Sequence, residues 1–132
     1  MSLVLVSHDL SVVSQVCDRV AVMYAGQVVE LAPTSELLRS PRHPYTRALL
    51  EALPGAVPRT QQLRVIPGAP PPLVGLGPTC RFQPRCELHQ PACAEWHTAL
   101  LDVGPEHGSR CRRADEIDLP LPDPRVLEET AP

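Results

Sequence analysis

The sequence contains no lysine, and all twelve of its basic residues are arginine. That excludes a phosphate-binding loop of the G-x-x-x-x-G-K-[ST] type, whose lysine reaches the β- and γ-phosphates. Large aromatic side chains are almost as scarce, with one Trp, two Tyr and one Phe set against 17 prolines in 132 residues. A chain so short of core-filling groups and so rich in backbone breaks cannot be one well-filled core throughout, so part of it is expected to be loop. Long hydrophobic runs are missing too. The apolar opening "LVLV" at residues 3–6 breaks at Ser7, His8 and Asp9, too short for a membrane span or a signal-peptide core. Neither sign of charge dominates, and a net charge of -3 gives no general attraction to nucleic acid or anionic lipid. A cytosolic setting follows as the expectation. There, clustered cysteines hold metal or do redox work more often than they form disulfides, and five cysteines would in any case leave one unpaired.

What is present has a readable order. "LVLV" suits a strand buried on both faces of a sheet. Asp9 can cap a helix that turns Leu10, Val13, Val16 and Cys17 to one side, which makes Cys17 a core thiol. "RVAVMY" and "QVVEL", separated by Ala25 and Gly26, predict a β-hairpin. Thr34 is placed as the cap of a short helix ended by Pro41. A longer helix follows in "HPYTRALLEALP", with Pro44 in its first turn, an apolar face of Tyr45, Ala48, Leu49, Ala52 and Leu53, and a stop at Pro54. Residues 57–79 are rich in Pro and Gly and predict an extended segment.

"SHD" directly after a strand puts His8 at the carboxyl end of a sheet, the edge where open α/β folds bind ligands. The stretch "VLVSHDLSVVSQVCDRVAVMYAGQVVELAP" resembles the end of an ABC-transporter nucleotide-binding domain. "SPRHPYTRALLEALP" and "IPGAPPPL" are similar to the segments that follow in the ATPase subunits of oligopeptide and dipeptide importers. The resemblance implies an α/β fold, the C-terminal fragment of an ABC nucleotide-binding domain. Its order is strand, helix, β-hairpin and two helices, followed by a proline-rich, irregular cysteine-rich extension. The expected divisions are 1–55 for the end of that domain, 56–79 for the connector, 80–113 for the extension and 114–132 for a mobile tail. The resemblance also implies that His8 is the catalytic switch residue, which senses the γ-phosphate of ATP. Asp9 is either a helix cap or a contact across an ATPase dimer. With no phosphate loop, no "LSGGQ"-like signature and no strand ending in metal-binding carboxylates, the chain by itself is expected not to hydrolyse ATP and to be the last third of such a subunit.

"CRFQPRCELHQPAC" opens a second motif, in which Cys80, Cys86, Cys93 and Cys111 are spaced C-x5-C-x6-C-x17-C. Four thiolates suit either an iron-sulfur cluster or zinc. The lack of a tight C-x2-C turn favours the larger centre over zinc, with unligated thiols as the third possibility. The resemblance points to the same answer, since "CRFQPRCELHQPAC" followed by "GSRCR" is similar to the ending of importer ATPases that implies a [4Fe-4S] cluster. Phe82 and Trp96 are expected to shield the centre, and His89, His97 and His107, which could substitute as ligands, are expected to lie at the surface because four cysteines are already available. Arg81, Arg85, Arg110 and Arg112 either offset thiolate charge or are solvated. The implied whole is an ATP- and Mg-binding ABC transporter subunit for peptide import. It would sit at the cytoplasmic face of the membrane with transmembrane permease subunits and a second ATPase subunit, and with no nucleic acid. The rival expectations are a stand-alone metal-binding interaction module and a non-functional truncated gene product.

Overall fold

A computed structural model describes residues 1–54 and 65–117. Residue 55, residues 56–64 of the expected connector and residues 118–132 of the expected tail lie outside the described residues.

Helix α1 (Leu10–Val16) begins where the Asp9 carboxylate accepts the backbone N–H groups of Ser11 and Val12, so Asp9 acts as the cap. These bonds, led by the one from the Ser11 hydroxyl, lower the Asp9 pKa. Strands β1 (Arg19–Tyr24) and β2 (Gln27–Pro33) form the expected antiparallel hairpin. Ala25 and Gly26 supply φ values of 48° and 77°, the two positive angles that a two-residue turn with the right-handed twist of a hairpin requires. Along β1, burial alternates strictly, with Val20, Val22 and Tyr24 turned inward.

Helix α2 (Thr34–Arg39) starts at its expected cap, one residue earlier than expected. Thr34 is the first helical residue, and its hydroxyl donates instead to the Cys17 carbonyl. Helix α3 (Pro44–Glu51) has Pro44 in its first turn as expected. Its fully buried residues are Thr46, Leu50 and Glu51, whereas Tyr45 and Leu49 of the expected face are half-buried against the core.

Two expectations are corrected. "LVLV" forms no strand, and Leu3, Val4 and Val6 are 83%, 87% and 91% exposed. A strand exists only through hydrogen bonds to a neighbour, and these residues have no neighbouring strand among the described residues. The cysteine-rich extension is not wholly irregular either. It contains two short 3-10 turns (Gln83–Arg85 and Pro91–Ala94) and a second hairpin, β3 (Leu101–Gly104) and β4 (His107–Ser109). Strand β4 pairs with β2 through Glu30 opposite Ser109 and Leu31 opposite Gly108. The sheet is therefore antiparallel throughout, in the order β1-β2-β4-β3.

The core joins Val13 of α1, Val20, Val22, Tyr24, Val29 and Ala32 of the first hairpin, Leu37 of α2, and Phe82 from the extension. Tyr24, Tyr45 and Phe82 meet with ring centres 4.6 to 5.3 Å apart. Most of the chain's few aromatic rings thus gather where three segments converge, and offset or edge contacts of this kind add about 1 kcal/mol each beyond their burial. No helix among the described residues is long and apolar enough to cross a membrane.

Candidate functional site

The extension is held to the hairpin largely by arginine. Arg85 donates to the carbonyls of Pro67, Ile66 and Gly68 and to the Tyr24 hydroxyl, at 2.7 to 3.3 Å, and lies over the Tyr24 ring. Arg81 reaches the Ala25 carbonyl at 2.7 Å, and Arg110 reaches those of Val28 and Thr98 at 2.7 and 3.2 Å. These three side chains are more than solvated surface. Their planar forks saturate backbone acceptors that a loop-rich segment would otherwise leave unpaired. Arg112 remains exposed.

So fastened, the segment brings Cys80, Cys86, Cys93 and Cys111 to line one cavity, whose walls include Phe82, Leu88, Trp96 and Ile117. Phe82 and Trp96 stand where the sequence placed them. Burial pushes the Cys80 and Cys86 thiols up, and raises Cys111 to about 12, with the neighbouring cysteines adding to each shift. Opposing this, the backbone N–H groups of Phe82 and Gln83 bond to Cys80, that of Leu88 to Cys86 and that of Arg113 to Cys111. Burial outweighs these backbone donors, so each of the three thiols holds its proton more tightly than a free cysteine.

Among the described residues, no group of three or more His, Cys, Asp or Glu side chains is arranged to hold a metal ion. A single tetrahedral zinc would need its sulfurs only about 3.8 Å apart, given Zn–S bonds of about 2.3 Å. The four soft donors and the largely apolar wall fit a thiolate-held metal or cluster in chemistry.

The histidines divide in an order the sequence did not foretell. His89 and His97 are exposed as expected, and the His89 Nδ1 sits 2.8 Å from the Cys86 carbonyl. His107 is a correction, being buried with its Nε2 2.7 Å from Glu30 Oε1. Glu30 is 0% exposed and also accepts the backbone N–H groups of Arg42 at 2.6 Å and His43 at 3.1 Å. His43, passed over in the sequence, is 1% exposed, caps α3 through Nδ1 and lines the thiol cavity. Its burial drives its pKa down to about 3. A carboxylate inside an apolar strand, as in "VVELAP", was the signal that could have pointed to this cluster. His8 lies apart on the exposed segment before α1, with no hydrogen bond among the described residues. Cys17 is half-buried against the core, away from the thiol cavity.

Residues 29–93 match the family model described as oligopeptide/dipeptide transporter, C-terminal region. A putative peptide import ATP-binding protein of Brucella ovis is 42% identical over 123 residues, covering 89% of this chain and 36% of that protein. The oligopeptide transport ATP-binding protein OppD of Mycobacterium tuberculosis is 45% identical over 118 residues, covering 86% of this chain and 19% of that protein. The chain spans about a third or less of the length of these curated relatives. The matched region runs from β2 through α3 to three of the four cavity thiols, and this region belongs to the family of oligopeptide/dipeptide transporter C-terminal regions.

Proposed function

We propose that this chain is the C-terminal part of an ATP-hydrolysing subunit that powers oligopeptide or dipeptide import across the cytoplasmic membrane. The match of residues 29–93 to the transporter's C-terminal region carries this proposal, and the names of relatives as peptide import ATP-binding proteins support it. In this scheme residues 1–55 end the nucleotide-binding domain, 56–79 connect, 80–113 form the thiol-bearing extension and 114–132 are a tail. The subunit works at the cytoplasmic face with membrane permeases and a second ATPase subunit, and the parent binds ATP and Mg.

His8 is the residue through which this chain takes part in the chemistry. Phosphoryl transfer depends mainly on positioning, and an imidazole can donate to a γ-phosphate oxygen while its other nitrogen orients a neighbouring group. Its exposure and lack of a hydrogen bond among the described residues leave it free for that role. No lysine of this chain can cradle the phosphates.

Cys80, Cys86, Cys93 and Cys111 would hold a [4Fe-4S] cluster. When bound, such a group supplies ligation free energy that becomes folding free energy for a segment with few apolar residues of its own. The convergence of all four thiols on one cavity supports this. Zinc is the alternative, and it would need the four sulfurs about 3.8 Å apart around one ion.

Deleting the gene in the source cell should abolish uptake of a labelled tripeptide, and His8→Ala at the same locus should reduce it at least tenfold; normal uptake in both would overturn the transport assignment. Anaerobically purified chain should be brown and carry iron and sulfide, which Cys→Ser replacement at the four positions removes. Colourless protein with stoichiometric zinc would overturn the cluster.

A further inference from the structure

Beside the thiol cavity, and sharing its Pro44, Phe82 and Leu88 wall, lies a larger cavity of about 220 Å³. Much of its lining is apolar, including Ala48 of α3, Ile66, Pro67, Phe82 and Leu88. An apolar cavity of about 150 Å³ already holds one benzene, so this one has room for a small branched or aromatic group. Arg47 and Arg85 line it as well. Arg85 directs its donors to the Pro67, Ile66 and Gly68 carbonyls and the Tyr24 hydroxyl, all uncharged, so its charge has no ion-pair partner among the described residues. The Arg47 Nε is bonded to Glu51 Oε1 at 2.6 Å, while its two terminal nitrogens have no acceptor among the described residues. That side chain is only 19% exposed, and an arginine tied at Nε with its stem largely buried presents its fork in a preset orientation. Of the carboxylates on the lining, Glu51 is held by Arg47, and Glu87 is exposed and has an interaction of its own.

We propose that this second cavity binds a small organic carboxylate with a branched or aromatic apolar body. The carboxylate takes the terminal nitrogens of Arg47 as a two-pronged donor, the unpaired charge of Arg85 favours an anion there, and the apolar body rests against Ile66, Phe82 and Leu88. A few convergent polar donors on a mostly apolar wall is the usual make-up of a small-molecule site. The cavity uses none of the four thiols and lies apart from His8, so the inference stands without the transport and cluster readings.

The test is an NMR titration of the nitrogen-15-labelled chain with 4-methylpentanoate, with its uncharged amide 4-methylpentanamide, and with inorganic phosphate. The acid should give saturating shifts at the amides of Arg47, Ala48, Ile66 and Leu88, with a dissociation constant on the order of 1 mM, as suits a ligand of so few atoms. The uncharged amide should bind about tenfold more weakly, the usual worth of a charge-assisted hydrogen bond. Phosphate, which has no apolar body, should leave Ile66 and Leu88 unmoved. Arg47→Gln should weaken the acid about tenfold and leave the amide unchanged. Ala48→Met keeps the arginine and the helix but fills the cavity, and should abolish binding of both.

No saturating shift with either organic probe would overturn the site. Equal affinity for acid and amide would remove the carboxylate from the proposal, and phosphate titrating the same four amides as tightly as the acid would reduce the cavity to a patch of positive charge; either refutes it. Undiminished binding in Ala48→Met would place the ligand elsewhere and refute it too. Should Arg47→Gln fail to fold, the acid-to-amide ratio in the native chain and the Ala48→Met titration still decide the matter.

Discussion

Glu30→Ala should be among the most damaging single substitutions in this chain. The Glu30 carboxylate is fully buried and receives three donors: the Arg42 N–H at 2.6 Å, the His43 N–H at 3.1 Å and the His107 imidazole at 2.7 Å. Truncation leaves all three buried without their acceptor, at about 1 to 3 kcal/mol for each group that water cannot reach. Some relaxation will reduce the sum, and about 3 to 5 kcal/mol is the usual cost of removing one member of a buried pair. Small domains have only about 5 to 15 kcal/mol in total, so the variant should lose a large share of its stability. The measurement is urea denaturation followed by circular dichroism and by Trp96 fluorescence, with coincident curves as the check on two-state behaviour. Glu30→Gln keeps the volume but turns an amide N–H toward a donor, and should cost about 2 kcal/mol. A double-mutant cycle with His107→Ala should give a coupling above about 1 kcal/mol. A loss under about 1 kcal/mol for Glu30→Ala would mean that the carboxylate is hydrated in solution, and the reasoning would fail.

Three further outcomes are expected. His43 binds a proton near pH 6.5 once unfolded but only near 3 when folded, so its contribution is intact above pH 6.5 and is lost as the pH falls toward 3. The loss is about 1 kcal/mol per pH unit, and His43→Asn should show a shallower acid slope than the native chain in the same denaturation series. Without a bound metal, Cys111, raised from 9.0 to about 12, should be alkylated at pH 8 about a thousandfold more slowly in the folded chain than in urea, because only thiolate reacts; equal rates, read by mass spectrometry, would contradict its burial. Val4→Lys with Val6→Lys should leave the denaturation midpoint unchanged and reduce self-association in light scattering, since both valines are exposed and apolar extended segments are sticky.

Local signals were legible where one or two residues decide the geometry. Gly26 beside Ala25 announced the first hairpin, Pro44 announced the start of α3, and Asp9 announced the cap of α1. The thiol cavity was legible because cysteine types and their spacing carry chemistry directly. What could not be read depends on partners distant in sequence. "LVLV" has the composition of a buried strand, but burial is decided by neighbours, and none is present among the described residues. Strands β3 and β4, at four and three residues, are too short to register as periodic patterns and exist through pairing with β2. His107 looked like surface because Glu30, its partner, lies 77 positions away. Thr34 was misplaced by a single residue, since the Cys17 carbonyl claims its hydroxyl.

By lying alongside β2, the second hairpin acts as a guard rail. A row of amides and carbonyls that would otherwise invite a stray chain is already occupied on that side, and the outermost position passes to the four residues of β3. A protease cut between Cys93 and Leu101 would therefore do more than free a tail: it would unmask both a docking rail and the buried glutamate behind it, turning a self-contained sheet into a seed for clumping.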